Sequence, residues 1–300
     1  MSGDRVPADI TEETITEAVV DSFENAMDPR LRECLAALVC HVHAAVREVE
    51  PTIKEWEAAV RFLTETGHTC DSTRQEFVLL SDVLGISALV ENINHRKTPG
   101  ATEATVLGPF HMVDSPVRAL GDSIDEVGEA VPCLVTGSVT SVDGTPLAGA
   151  SVDVWQADED GFYDVQRPGQ RPAGNGRGLF TTDERGRFWF TTVVPRYYPI
   201  PTDGPVGLFL AKTGRHPFRP AHIHFIAATD GHVPVTTHIF VEGSPYLDSD
   251  AVFAVKHSLV RAFEQVDDPA MAAEHDIANP FFHADVDLVL DRAEQHPATT

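Results

Sequence analysis

Cysteine is scarce: four residues, Cys34, Cys40, Cys70 and Cys133, in a chain of 300, with no C-x-x-C pair. That excludes a disulfide scaffold and the common zinc ribbons, and leaves buried or inert thiols as the expectation. Positive charge is scarce too. Lysine and arginine number 22 against 46 acidic residues, for a net charge of −24. Such a field repels a phosphate backbone, so no nucleic-acid partner is expected. Long apolar runs are missing, so no membrane span is expected. The opening MSGDRVPADITEET is polar and acidic, unlike a signal peptide or presequence. Together these features point to a reducing, cytoplasmic setting. Internal repeats and low-complexity tracts are also missing.

What is present is ordinary globular composition, 42% hydrophobic and 23% charged. Two textures divide the chain, at about residue 105. Residues 1–105 read as helices, and residues 106–300 as a β-sandwich, an α+β organisation. Thr11 and Thr14 precede a helical stripe of Ile15, Val19, Val20, Phe23 and Met27. Asp28-Pro29 reads as an N-cap with proline at the first helical position. Leu31, Leu35, Leu38, Val39, Val42, Val46 and Val49 follow at helical spacing. Thr52 with Glu55 and Ser72 with Gln75 read as capping boxes, the second opening a helix that runs through Ile86. The stripes fit two uses, covering a sheet or pairing with a second copy.

Thr98-Pro99-Gly100 and Gly108-Pro109 end the helical texture. Beyond them, CLVTGSV and ASVDVW flank Asp143-Gly144 as a hairpin or short meander. GLFTTDERGRFWFTTVV reads as two strands about Glu184-Arg185-Gly186. AHIHFIA and VTTHIFV flank Asp230-Gly231. Regular spacing of this kind predicts an antiparallel sandwich. Residues 248–266 read as a late helix capped by Asp248 or Ser249, and FFHADVDLVL as a final strand.

The residues that suggest chemistry start with His222-Ile223-His224. On a strand, residues two apart share a face, so both imidazoles can reach one metal ion. Alone, the pair is more often structural. Tyrosine is rare, with Tyr163, Tyr197, Tyr198 and Tyr246 only. Tyr163 follows a strand in Asp160-Gly161-Phe162-Tyr163-Asp164. Tyr197 and Tyr198 precede the proline-fixed Pro199-Ile200-Pro201. Two phenolates with two imidazoles are hard donors suited to Fe(III), and a metal displaces the phenol proton. Tyr197 and Tyr198 compete for one such place.

Four ordered motifs carry a resemblance. They are Glu103-Ala104-Thr105-Val106-Leu107-Gly108-Pro109-Phe110, Gly161-Phe162-Tyr163, Tyr198-Pro199-Ile200-Pro201-Thr202-Asp203-Gly204-Pro205, and Arg215-His216-Pro217-Phe218-Arg219-Pro220-Ala221-His222-Ile223-His224-Phe225. With them, the chain resembles the intradiol ring-cleavage dioxygenases over roughly residues 30–265. Phe77-Val78-Leu79-Leu80-Ser81-Asp82-Val83-Leu84-Gly85 and Thr236-Thr237-His238-Ile239-Phe240 are most similar to the hydroxyquinol-cleaving members. Catechol-cleaving members typically carry glutamine where His238 stands.

The resemblance implies one Fe(3+) per subunit held by Tyr163, Tyr198, His222 and His224, the family register selecting Tyr198 over Tyr197. It implies that an aromatic diol or triol and O2 are the substrates, and that Tyr198 accepts a substrate proton. Arg219 would stabilise negative charge on the ring, and His238 would position substrate or a ligand. Leu79, Asp82, Val106, Gly108, Pro109, Phe110, Pro199, Ile200 and Pro201 would line the substrate pocket, Asp82 meeting a third hydroxyl. A homodimer through the N-terminal helices, with a phospholipid in its interface, is implied as well. The competing reading, from a different class, is a non-catalytic β-sandwich binding module.

Overall fold

The computed structural model describes residues 9–71, 74–96, 98–128 and 130–293. Two compact units divide between Glu65 and Thr66. The first holds α1 (Ile15–Asp21), α2 (Pro29–Val49) and most of α3 (Ile53–Thr69). Asp28 caps α2 as expected: its Oδ1 accepts from Arg30 N at 2.8 Å and Leu31 N at 3.3 Å, with Pro29 in the first turn. The Thr52–Glu55 box is closed in both directions, Thr52 N to Glu55 Oε2 at 2.8 Å and Glu55 N to Thr52 Oγ1 at 3.3 Å. Arg47 ties α1 to α2 by donating to the Glu12 carbonyl and to Thr16 Oγ1.

The second unit opens with α4 (Glu76–Val83) and α5 (Ile86–Asn94). The expected Ser72 cap lies outside the described residues, and Gln75 makes no side-chain cap. One continuous helix was the expectation here. Gly85, at φ +72°, breaks it into two, because the left-handed backbone cannot continue a right-handed helix.

The strands follow in order: β1 (Pro132–Ser141), β2 (Ser151–Gln156), β3 (Arg177–Thr181), β4 (Arg187–Val193), β5 (Tyr198–Pro199), β6 (Phe218–Arg219), β7 (His222–Ala228), β8 (Val235–Val241), β9 (Val260–Arg261), β10 (Glu264–Val266) and β11 (Phe281–Leu290). Helices α6 (Pro205–Lys212) and α7 (Pro269–Glu274) intervene. One sheet runs β10-β11-β1-β4 and the other β3-β2-β7-β8-β9, while β5 and β6 pair separately. Phe188 and Phe190 of β4 meet Phe225 of β7 at 6.2 and 6.4 Å between centroids, so the two sheets share one aromatic core.

Three expectations need correction. The sheets are mixed, since β1 pairs with β11 and β8 with β9 in parallel. β1–β2 is not a hairpin, because its members lie in opposite sheets; the two strands expected about Glu184-Arg185-Gly186 are present as β3 and β4, which also lie in opposite sheets. Their turns stand, with Ser141 N bonded to Thr145 O and Asp183 N to Arg187 O, but the chain uses them to cross the sandwich. Residues 248–266 form turns, a 3-10 turn at His257–Leu259, and strands β9 and β10 instead of a helix. Asp250 collects the amides of Val252 and Ala254, and Phe253 sits at φ +58°, which stops a helix. The β7–β8 hairpin and the strand β11 agree with expectation.

Candidate metal centre

Strand β7 supplies the core of the site. His222 and His224 share one face, and Ile223 is fully buried on the other. Cross-strand register sets Trp155 of β2 and His238 of β8 on either side of His224. Trp155 stacks on the His224 ring at 4.5 Å and 13°, which fixes the imidazole plane. On the remaining side, a side chain at Gly108 would stand 3.0 Å from His224 Cε1, and Gly108 is held at φ +78°. Glycine is therefore required there on both counts.

Tyr163 arrives on the loop after β2. Asp158 organises this loop, its Oδ1 accepting from the amides of Asp160 and Phe162, while Arg171 Nε pairs with its Oδ2 at 2.9 Å. Next to Tyr163, Asp164 takes a fork from Arg177, at 2.9 Å from Nε and 2.7 Å from Nη2. Tyr198 and Arg219 are direct partners in the β5–β6 pair. Pro220 then separates Arg219 from β7, so the arginine belongs to a short strand of its own.

The side chains converge in a buried cluster. Tyr163 Oη lies 3.1 Å from His224 Nε2 and 3.4 Å from Tyr198 Oη. The two histidine Nε2 atoms are 3.1 Å apart. Tyr197, by contrast, packs its ring against Phe218 and Tyr246 at 5.8 and 5.4 Å. Arg219 is 2% exposed, with Nη1 3.3 Å from His222 Nε2 and 3.5 Å from Tyr198 Oη, and Nη2 3.5 Å from His238 Nε2. Its Nε pairs with the equally enclosed Asp250 at 3.2 Å.

The electrostatics follow from this burial. Desolvation, reinforced by the Arg219 charge, pushes His222 and His238 well below the ordinary histidine range. His224 is pushed down by burial and then by His238 and His222. All three rings are therefore neutral, each with one nitrogen able to accept. In His222 that nitrogen is Nε2, because Nδ1 lies 2.7 Å from the Pro220 carbonyl, which only accepts. Burial and then the neighbouring Tyr198 raise Tyr163 well above a normal phenol, so without a cation it stays protonated. Burial works against the Arg219 charge, but Asp250 and the two phenols keep its pKa above the ordinary value.

Several lone pairs thus point at one buried spot. The Tyr163 hydroxyl and Arg219 are donors within reach of these nitrogens, and a bound cation would take the place of the phenol proton. A hard, highly charged ion fits the donor set of two phenolic oxygens and two imidazoles, and would displace the phenol protons. Ring nitrogens of His222, His224 and His238 also lie within 4.8 Å of one another. His222 and His224 meet at their Nε2 atoms, 3.1 Å apart, whereas the His238 ring is bonded at Nδ1 to the Thr105 hydroxyl.

Of the other expected pocket residues, Phe110 stacks on Tyr163 at 4.6 Å and meets Tyr198 edge-on at 6.2 Å. Asp82, on α4 one turn from buried Leu79, is close enough to feel the Arg219 charge. Val106 and Ile200 are buried, Pro201 is half-buried, and Pro109 and Pro199 are exposed. Sequence reasoning missed Trp155, Thr105 and Asp250. Trp155 lay at a recognised strand end and Thr105 inside a recognised motif, but neither residue type signals a metal site.

Comparison with known proteins agrees with this geometry. The family model described as Dioxygenase matches residues 111–290, and that described as Catechol dioxygenase N terminus matches residues 28–102. A hydroxyquinol 1,2-dioxygenase of Rhizobium sp. (strain MTP-10005) is 50% identical over 94% of this chain and 96% of its own length. A 6-chlorohydroxyquinol 1,2-dioxygenase of Cupriavidus pinatubonensis is 46% identical over 89% and 96%. Among solved structures, hydroxyquinol 1,2-dioxygenase from Pseudomonas putida DLL-E4 superposes with a TM-score of 0.89 at 45% identity, covering 94% of this chain and 99% of that one. Catechol 1,2-dioxygenase from Acinetobacter sp. ADP1 gives 0.80 at 28% identity, covering 95% and 94%. Both family models fall in order on the helical and sheet-rich parts, and the likeness runs almost end to end: the chain belongs to the intradiol ring-cleavage dioxygenase family.

Proposed function

We propose that this dioxygenase opens the ring of hydroxyquinol with O2, giving maleylacetate (3-hydroxy-cis,cis-muconate). The carrying observation is the convergence of Tyr163, Tyr198, His222 and His224 beside a buried arginine. The 45–50% identity to hydroxyquinol-named relatives, against 39% to a catechol-named one, supports the substrate.

One ferric ion held by these four residues would supply Lewis acidity towards the diol and O2. Tyr198 receives a phenolic proton from the substrate. Arg219 Nη1, the guanidinium nitrogen nearest Tyr198 and His222, stabilises negative charge on the ring as it is attacked. His238, facing Arg219, keeps the guanidinium in place and is not assigned to the metal. Phe110 and Trp155 exclude water, and Asp82 meets the third hydroxyl. The catalytic part would span residues 106–300, with residues 1–105 forming the dimerisation and linker region.

Apolar residues left exposed on α2 and α3, among them Leu38, Val42, Trp56 and Val60, support a homodimer with phospholipid in its interface. Among the described residues no helix is long and apolar enough to cross a membrane. The four unpaired cysteines support a cytoplasmic setting.

Phenolate bound to Fe(III) absorbs visible light, so the purified protein should be reddish and contain one iron per chain. A colourless protein that remains inactive after iron loading would sink the reading and favour a binding module. Comparing kcat/KM for hydroxyquinol and catechol tests the substrate. A preference for catechol or a chlorocatechol would reassign the product to a cis,cis-muconate.

A further inference from the structure

We propose that Thr105 is a positioning residue: its hydroxyl accepts the Nδ1 proton of His238, which holds that ring and, through it, the aim of Arg219. The proposal rests on the role given to Arg219 above. A guanidinium carries N–H groups and no lone pair, so it can only donate. His238 Nε2, 3.5 Å from Arg219 Nη2, must therefore be the accepting nitrogen. In a neutral ring the proton then sits on Nδ1, and Nδ1 faces the Thr105 hydroxyl, which accepts it. The opposite tautomer would set two donors against each other inside a fully buried pocket.

Thr105 is itself held still. Its amide donates to the Thr236 carbonyl of β8 at 2.9 Å, and Thr237 Oγ1 bonds to the Glu103 carbonyl at 2.8 Å. The hydroxyl is thus referenced to the same strand that carries His238. On the other side, Asp250 grips Arg219 Nε at 3.2 Å while its carboxylate is anchored by the Val252 and Ala254 amides. The guanidinium is clamped between a fixed carboxylate and an oriented imidazole. Nη1 is left as the nitrogen aimed at Tyr198 and His222, where the substrate ring must lie. A donor that acts on developing charge affects turnover more than ground-state binding.

The test compares Thr105→Val, which keeps the side-chain shape and removes the hydroxyl, with Thr105→Ser, which keeps the hydroxyl. In the iron-loaded full chain, Thr105→Val should lower kcat for hydroxyquinol about tenfold or more while KM and the visible band stay near wild type. Thr105→Ser should restore most of the rate. Full-length protein loaded with gallium(III), a diamagnetic trivalent ion, and labelled with 15N-histidine reads the tautomer directly. His238 should carry its proton on Nδ1 in all three forms, with that N–H hydrogen-bonded in wild type and Thr105→Ser and unpaired in Thr105→Val. A wild-type proton on Nε2, or a Thr105→Val enzyme with wild-type kcat, overturns the proposal. If the tautomers behave as stated but no form opens hydroxyquinol, the contact stands and the substrate reading fails instead.

Discussion

Tyr197 and Tyr198 are adjacent in sequence and opposite in surroundings. The Tyr198 hydroxyl reaches Tyr163 and Arg219, whereas the Tyr197 ring packs between Phe218 and Tyr246. Tyr198→Phe should therefore shift the visible band and lower kcat by about a hundredfold or more, the scale of a lost proton acceptor. Tyr197→Phe should leave band and rate near wild type; stopped-flow spectra of both variants check this. Asp82 makes a second case. Burial raises its pKa, opposed by Ser87 and Arg219 and aided by Asp250. An acid whose folded pKa lies above its unfolded value, about 3.9, penalises folding once pH exceeds that value. Asp82→Asn should therefore melt higher than wild type at neutral pH, and the gap should close as pH falls towards about 4. Calorimetry at several pH values would show it, and a gap that widens on acidification would contradict it. The same variant should lose affinity for the third hydroxyl if Asp82 meets it.

Among the elements, local pattern was most readable where one strand or helix is self-sufficient. Asp28-Pro29, the Thr52–Glu55 box, β7, β8 and β11 all lie where spacing and caps place them. Reading failed where a turn is followed by a change of sheet. The turns at Asp143-Gly144 and Glu184-Arg185-Gly186 resemble hairpin turns, yet each hands the chain across the sandwich. Residues 248–266 failed for a related reason. Their apolar spacing suits a helix, but Asp250 takes the amides that a helix would use and pairs with Arg219 from another element. Gly137 tests the element scale. It lies in β1 between β4 and β11, and a methyl group there would run into the Val286 carbonyl and the Phe188 ring. Gly137→Ala should cost about 3 kcal/mol, read from urea unfolding, because two paired strands leave the backbone nowhere to move.

For the molecule as a whole, the helical stripe on α2 stays uncovered within its own unit. Leu31, Leu38, Val42, Val46 and Val49 are all exposed. An exposed apolar row of that kind supports the proposed dimer interface. Replacing Leu38 and Val42 together by glutamate should turn a dimer into a monomer in sedimentation-velocity runs, with the visible band of the iron-loaded protein retained. A wild-type protein that sediments as a monomer at all concentrations would remove the interface. Mass spectrometry of an organic extract would show whether a phospholipid accompanies it. The charge of −24 adds long-range repulsion between copies, so dimerisation should strengthen with salt.

The candidate ligand types and their local presentation were already legible in the residue pattern. His222 and His224 alternate with Ile223, and alternation on a strand is a property of three residues. Tyr163 and Tyr198 were legible as rare phenols on constrained segments, and the ordered motifs around them tied the four together. Only the tertiary structure decided that Tyr198 faces inward and Tyr197 outward, and that Trp155 and Gly108 fix His224. It also joined Thr105 and Asp250 to Arg219 through contacts spanning long stretches of chain. The reason is physical: periodicity records which face of an element is buried, but it carries no record of what another element brings to that face. Strand pairing across β2, β7 and β8 supplies that information, and with it the clamp around Arg219.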